Sequence, residues 1–203
     1  MGLASSSVSI FRYRVRGEVE GPFWETVEEG VKGNAFGEAQ SSGEIVAMGW
    51  TSINDFTDTR FERGPYVMGN YVALSFRIDT VRIAPRILEM HVRGEARNLL
   101  QQTGQKRLSA TQSRELKDGV RERLTRQALP SIQVYDLMWD TATGTVYLGT
   151  HSPRARERVE EHFRKSFGPT LVPLIPYVRA EEILEGKPDR RLLEDLRPAS
   201  MLA

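Results

Sequence analysis

Cysteine is absent from the 203 residues of this chain. Disulfides, thiolate nucleophiles and zinc–thiolate sites are excluded, and the composition suits a reducing cytosol. No apolar run approaches the length that crosses a bilayer. No basic stretch followed by an apolar segment opens the chain, so no secretory signal is expected. Met1-Gly2-Leu3-Ala4-Ser5-Ser6 formally fits a myristoylation pattern but reads more simply as a flexible N-terminal tail. Histidine occurs only at His91, His151 and His162, without metal-ligand spacing. There is no glycine-rich phosphate loop and no Gly-x-Ser-x-Gly elbow. Zinc-finger, helix-turn-helix and aromatic RNA-binding strand motifs are missing as well. No cofactor and no metal site are expected. What remains is 39% hydrophobic, enough for one substantial domain or one domain with an appendage.

The charge is unevenly spread. Residues 82–129 hold eleven cations (Arg82, Arg86, Arg93, Arg97, Lys106, Arg107, Arg114, Lys117, Arg121, Arg123 and Arg126) against Glu89, Glu95, Glu115, Asp118 and Glu122, an excess of six. The flanking segments are acidic or near neutral, so the whole-chain charge of +1 hides one polarised region. Such asymmetry argues for a polyanionic partner and says nothing about fold. The plainer reading is a charged helical surface on which acids and bases merely pair.

Hydrophobic periodicity places the elements. Val8 to Val15 alternates like a half-buried strand. Phe23, Trp24, Val27 and Val31 repeat at helical spacing after Pro22, and Gly33 ends that helix. Residues 37–44 read as loop, Ile45 to Trp50 as a short strand, and 51–69 as irregular with breaks at Gly64-Pro65 and Gly69. Tyr71 to Ile83 alternates as a strand. Pro85 opens a helix striped by Ile87, Leu88, Val92, Ala96, Leu99 and Leu100, which Gly104 closes. Ser109 and Gln112 form a capping-box pattern ahead of a second long helix, which runs to about Leu129 and stops at Pro130. Ser131 to Asp140 and Thr145 to His151 read as paired strands around Thr141-Ala142-Thr143-Gly144. A helix capped by Ser152 carries Val159, Phe163 and Phe167 on its buried side, and Leu171 to Leu174 is a last short strand. His91 and His162 fall in helices, the latter in an exposed turn, and His151 at a strand end. Trp24, Trp50 and Trp139 read as core residues rather than base-stacking platforms.

This order predicts an α+β fold with antiparallel sheets and packed helices, plus a protruding helical hairpin. The two halves have the outline of a pseudo-repeat, though their sequences are too different to show one. Residues 1–84 and 130–178 form the central body, 85–129 the helical-hairpin tip and 179–203 a C-terminal tail. For phosphate contact the residues are Arg93 and Arg97 on the first long helix, Lys106 and Arg107 in the turn, and Arg114, Lys117 and Arg121 on one face of the second. Arginine grips phosphate oxygens with parallel hydrogen bonds, and each neutralised phosphate releases counterions. A two-metal nuclease needs clustered carboxylates. Asp55, Asp58 and Glu62, with Asp79, are the best local cluster, but they stand in a polar loop where Asp is an ordinary turn former. Asp136 and Asp140 lack a lysine partner in sequence. The expected protein is therefore a binding module and not an enzyme. Its alternatives are a protein–protein docking module that uses the same hairpin, and a metal-dependent nuclease.

Several short phrases, in this order, resemble the recombination-associated RdgC family. They are Asn34-Ala35-Phe36, Met48-Gly49-Trp50, Arg82-Ile83-Ala84-Pro85, Glu115-Leu116-Lys117-Asp118 and Leu124-Thr125-Arg126-Gln127-Ala128-Leu129. Met138-Trp139-Asp140, Gly144-Thr145-Val146-Tyr147, Phe163-Arg164-Lys165-Ser166-Phe167-Gly168 and Val172-Pro173-Leu174 complete the set. The resemblance spans about residues 8–176. It implies a cytoplasmic, nucleoid-associated bacterial protein that binds double-stranded DNA with little sequence preference and bears on RecA-type recombination. It also implies a ring-shaped homodimer whose helical tips meet, with a C-terminal base closing the other side. Two departures modify that expectation. The chain stops near the point where the base would begin, which favours a more open assembly. The aromatic of the family's tip is replaced by Leu129, so the expected dimer contact is an apolar one around Leu129 and Pro130.

Overall fold

Tyr71 to Thr80 and Ser131 to Asp140 pair antiparallel along their whole length, from Tyr71 opposite Asp140 to Thr80 opposite Ser131. In the computed structural model, which describes residues 9–37, 46–62 and 66–185 together with Leu193 and Asp195, this pair is the centre of a seven-stranded antiparallel sheet. The elements run β1 (Phe11–Arg16), α1 (Phe23–Gly33), β2 (Val46–Ser52), β3 (Val67–Met68), β4 (Tyr71–Thr80) and α2 (Pro85–Thr103). They continue with α3 (Ala110–Gln127), β5 (Ser131–Asp140), β6 (Thr145–Leu148), α4 (Pro153–Phe167), β7 (Thr170–Pro173) and α5 (Pro176–Leu184). The strand order is β2-β4-β5-β6-β1-β7, with β3 a short addition beside β4. Strand β1 leaves its own half of the chain to lie between β6 and β7, so one continuous sheet forms. The N-terminal tail, the loop over 38–44, the Gly64-Pro65 break and most of 186–203 lie outside the described residues.

One face of the sheet is the core. Val72, Leu74, Phe76 and Ile78 of β4 point there with Leu137 and Trp139 of β5, Val146 and Leu148 of β6 and Tyr13 of β1. Helices α1 and α4 cover this face with Val27, Val31, Val159, Phe163 and Phe167. Burying a side chain of this size contributes about 1.5–3 kcal/mol each before the entropy of ordering is subtracted. The two helices meet closely at Gly30, where an added Cβ would stand 2.2 Å from the Ser166 carbonyl oxygen. Trp50 fills the centre. Its indole N–H donates to the Ser166 hydroxyl at 2.8 Å, and its ring lies 5.0 Å from the His162 ring. Gly49 lets the chain after α1 lie over β2: a Cβ there would meet the Phe36 backbone at 2.5 Å. That approach lets the Phe36 N–H donate to the Trp50 carbonyl and the Trp50 N–H to the Asn34 carbonyl.

The opposite face is polar. Arg77 lies over the Phe36 ring at 4.2 Å and binds Asp79 through two hydrogen bonds of 2.8 and 2.6 Å. At the far edge, Arg14 of β1 grips Glu182 of α5 with the same two-pronged geometry, at 2.6 and 2.8 Å. Arg14, and with it Arg179, holds the Glu182 carboxyl at about 2, well below the usual carboxylate range.

Four sequence expectations change here. Strand β4 ends at Thr80 and not Ile83, because its partner β5 begins at Ser131. Residues 176–184 are helical, so the segment assigned to a tail from 179 is anchored to β1 as far as Leu184. Trp24 is 46% exposed and packs edge-on against Phe23 instead of entering the core. His162, expected in an exposed turn, is 6% exposed and donates from Nε2 to the Asn34 carbonyl at 3.0 Å. Burial pushes its pKa below 6.5.

Candidate nucleic-acid interface

Helices α2 and α3 exist for clear local reasons. Pro85 starts α2 and Gly104, with φ of 68°, ends it in the left-handed region that favours glycine. In α3 the Ser109 hydroxyl accepts from the Gln112 N–H while the Gln112 side chain accepts from the Ser109 N–H, completing the expected capping box. Each helix packs chiefly on the other. Val120 is buried between them, and Leu116 and Leu124 are half-buried beside it. The mean-polar remainder of both helices is left to solvent. The nineteen residues of α2 give the hairpin a length of roughly 28 Å, the axial length of about eight base pairs of duplex.

All seven cations named from sequence are exposed. The acids of the hairpin divide them. Glu89 takes Arg93 at 2.5 Å, and Asp118 takes Arg121 at 3.7 Å. Glu95 pairs with Arg123 across the two helices, and Glu122 with Arg126 at 2.5 Å. Arg97, Lys106, Arg107, Arg114 and Lys117 make no ion pair among the described residues. The plainer reading of a fully paired surface thus fails for five of the seven.

The cations do not form one compact cluster. Lys117 and Arg121 line an open cleft of about 1120 Å³ at the base of the hairpin, against Leu88 and Val92 of α2 and the Val81–Pro85 connection. Arg114 lies one turn further out on the same side of α3, by the 3.6-residue repeat. Lys106 and Arg107 occupy the far turn. Arg93 and Arg97 fall about 100° or more around α2 from the Leu88–Val92 stripe that faces α3, on the outer side of that helix. Arg82 was counted in the basic segment but not named as a contact. It stands at the cleft and also lines a second cavity of about 270 Å³ on the body, with Arg154 and Arg158 of α4. No single-sequence signal joins Arg82 to Arg154, because they lie some seventy residues apart.

Leu129 and Pro130 sit where the chain returns from α3 to β5, at the base of the hairpin and not at its free turn. Leu129 is 92% exposed, the most exposed large apolar side chain among the described residues. Ile87 and Met90 of α2 are exposed too.

The carboxylates weighed for metal chemistry have other occupations. Asp55 accepts from the Thr57 hydroxyl and N–H, which lowers its pKa, and Asp58 accepts from the Arg60 N–H. Glu62 faces Arg60 at 3.7 Å and Asp79 is held by Arg77. Asp140 closes a turn by accepting from Thr143 and Ala142, and Asp136 accepts from the Ser75 hydroxyl at 2.7 Å. Among the described residues no group of three or more His, Asp or Glu side chains is placed to hold a metal ion. No described helix is long and apolar enough to cross a membrane. In comparisons with known proteins, no family model and no curated protein matches the chain.

Proposed function

We propose that this protein binds double-stranded DNA without sequence preference, with its helical hairpin as the main contact, and acts as a binding module in DNA recombination. The observation that carries this reading is the set of five exposed hairpin cations, Arg97, Lys106, Arg107, Arg114 and Lys117, that no carboxylate among the described residues pairs with. Unpaired surface cations spread over the outer half of the hairpin, roughly 15 Å from its turn to Lys117, match a row of phosphates better than a single small anion. Arg93 and Arg121, each beside an exposed carboxylate, are weaker contacts in this reading because part of their charge is already neutralised. The resemblance to the RdgC family supports the same partner. It also suggests a homodimer joined near Leu129 and a link to a RecA-type recombinase.

The test is fluorescence anisotropy with duplexes of unrelated sequence at several salt concentrations. Binding of similar strength to all, falling steeply with salt, is the expected result. A second reading follows from Leu129, Met90 and Ile87, whose exposure on the hairpin suits a protein partner. Saturable hairpin-dependent binding to a protein with no affinity for duplex would favour it. A nuclease is the third reading, and magnesium-dependent digestion of linear duplex would establish it.

A further inference from the structure

The cavity on the body lies at the end of β4 and β5 beside the first turn of α4. Its charged lining is Arg82, Arg154 and Arg158, with Ser131, Ser152 and Tyr135 among the neutral groups. No carboxylate lines it. None of the three arginines makes an ion pair among the described residues, whereas Arg14, Arg77 and Arg179 elsewhere on the body all do. Three guanidinium groups around one hollow repel each other unless an anion is seated between them. The neutral groups are donors as well. The Tyr135 and Ser131 hydroxyls make no hydrogen bond among the described residues, and the Ser152 hydroxyl accepts from the Ala155 N–H at 3.4 Å, leaving its own proton to give. The start of α4 adds partial positive charge. With about 270 Å³ of space, the hollow is open enough to admit a group attached to a larger molecule.

Val81 and Arg82 line both this cavity and the cleft that holds Lys117 and Arg121. Basic groups therefore run from α3, through Arg82, to the start of α4, and the carboxylate in the cleft's lining, Glu89, is engaged by Arg93. We infer that the cavity is a seat for a phosphodiester, occupied by a backbone phosphate of the same duplex that the hairpin holds. The inference rests on the duplex-binding reading and extends it from the hairpin onto the body. The path passes the connection where the hairpin joins the sheet, so bound duplex lies across that junction.

The test compares wild type, Arg154→Ala/Arg158→Ala and Lys117→Ala/Arg121→Ala in duplex binding at several salt concentrations. Circular dichroism and thermal melting serve as fold controls. If the alanine variant fails to fold, Arg154→Gln/Arg158→Gln keeps much of the aliphatic stems and takes its place. Loss of one seated phosphate lowers the magnitude of the salt slope by about 0.9 and weakens binding roughly tenfold at fixed salt. A purely structural role for the two arginines would lower the melting temperature without moving the slope. Wild-type affinity and slope in the folded α4 variant overturn the seat and leave the hairpin reading standing. Absence of duplex binding by wild type overturns the hairpin reading and the seat with it.

Discussion

Removing Arg114, Lys117 and Arg121 together probes the proposed duplex contact most directly, because the ion pairing of each sets how much it should matter. Of the seven named contacts, five are unpaired among the described residues and two, Arg93 and Arg121, face a carboxylate. At about 0.9 per phosphate neutralised, five contacts give a slope of log affinity against log salt near −4.5, and seven give about −6.3. A rise from 50 to 200 mM salt then weakens wild-type binding by about 500-fold at the lower figure. The triple alanine variant loses two free cations and one paired one. From the lower figure, which leaves Arg121 out, its slope should be shallower by roughly 1.8, so the same change in salt costs it only about 40-fold; with Arg121 counted, the slope should be shallower by roughly 2.7. The helix should survive, since alanine is the best helix former and these positions avoid the Leu116–Val120–Leu124 stripe.

The ion pairs supply an internal control. Arg126 is as exposed as the others but is held by Glu122 at 2.5 Å, so Arg126→Ala should leave the slope nearly unchanged. Anisotropy titrations on two unrelated duplexes, with circular dichroism on each variant, decide the matter. A folded triple variant with the wild-type slope would refute the assignment of these residues, and an equal loss from Arg126→Ala would refute the argument from pairing.

Gly49→Ala should destabilise by about 2–4 kcal/mol in chemical denaturation, because its Cβ would meet the Phe36 backbone at 2.5 Å, which cannot rotate away as a side chain would. The buried His162 should make the protein acid-sensitive: its folded pKa lies below 6.5, so as pH falls through that value the unfolded chain takes a proton that the folded state refuses. Stability should fall below about pH 6.5 in wild type and less steeply in His162→Gln, with denaturant midpoints as the measurement. Glu182→Gln should free α5 from Arg14 and raise hydrogen exchange over Pro176–Leu184; the wild-type contribution of this pair is present above about pH 4.5 and is lost as pH falls toward 2. If the chain forms the proposed homodimer, Leu129→Asp should give a folded monomer with weaker duplex binding, read by light scattering, through lost avidity; a wild-type monomer or an unchanged mutant dimer would refute the contact at Leu129.

The parts of this protein that could be read from its sequence are those set by neighbours along the chain. The hairpin is one: Pro85, Gly104 and the Ser109–Gln112 box act within a few residues, and the structure realises each of them. The first central strand is another, since the apolar residues Val72, Leu74, Phe76 and Ile78 recur every second position and so share the face that packs against the helices. His162 shows where this stops. Its neighbours Glu160, Glu161, Arg164 and Lys165 make the turn look solvated, and only Trp50 and Phe76, brought in from the other half of the chain, bury it. Helix α5 was hidden because Pro173 and Pro176 break any periodic pattern, although Pro176 proves to be a first-turn proline.

The proposed DNA surface divides along the same line. That residues 82–129 are basic follows from counting, but counting cannot tell a neutralised arginine from a free one. Arg123 and Arg126 entered the sequence total with the same weight as Arg97 and Arg114, and the structure removes them by placing Glu95 and Glu122 within reach. It also adds Arg154 and Arg158, which a linear charge count assigns to a near-neutral segment. Their significance depends on β4 ending and β5 beginning beside the start of α4, where Arg82 lines the same cavity as both. Electrostatic recognition of a long polyanion depends on where unpaired charge lies along a continuous surface, not on how much the chain contains. The path from Lys117 through Arg82 to Arg158 meets that condition across two structural units.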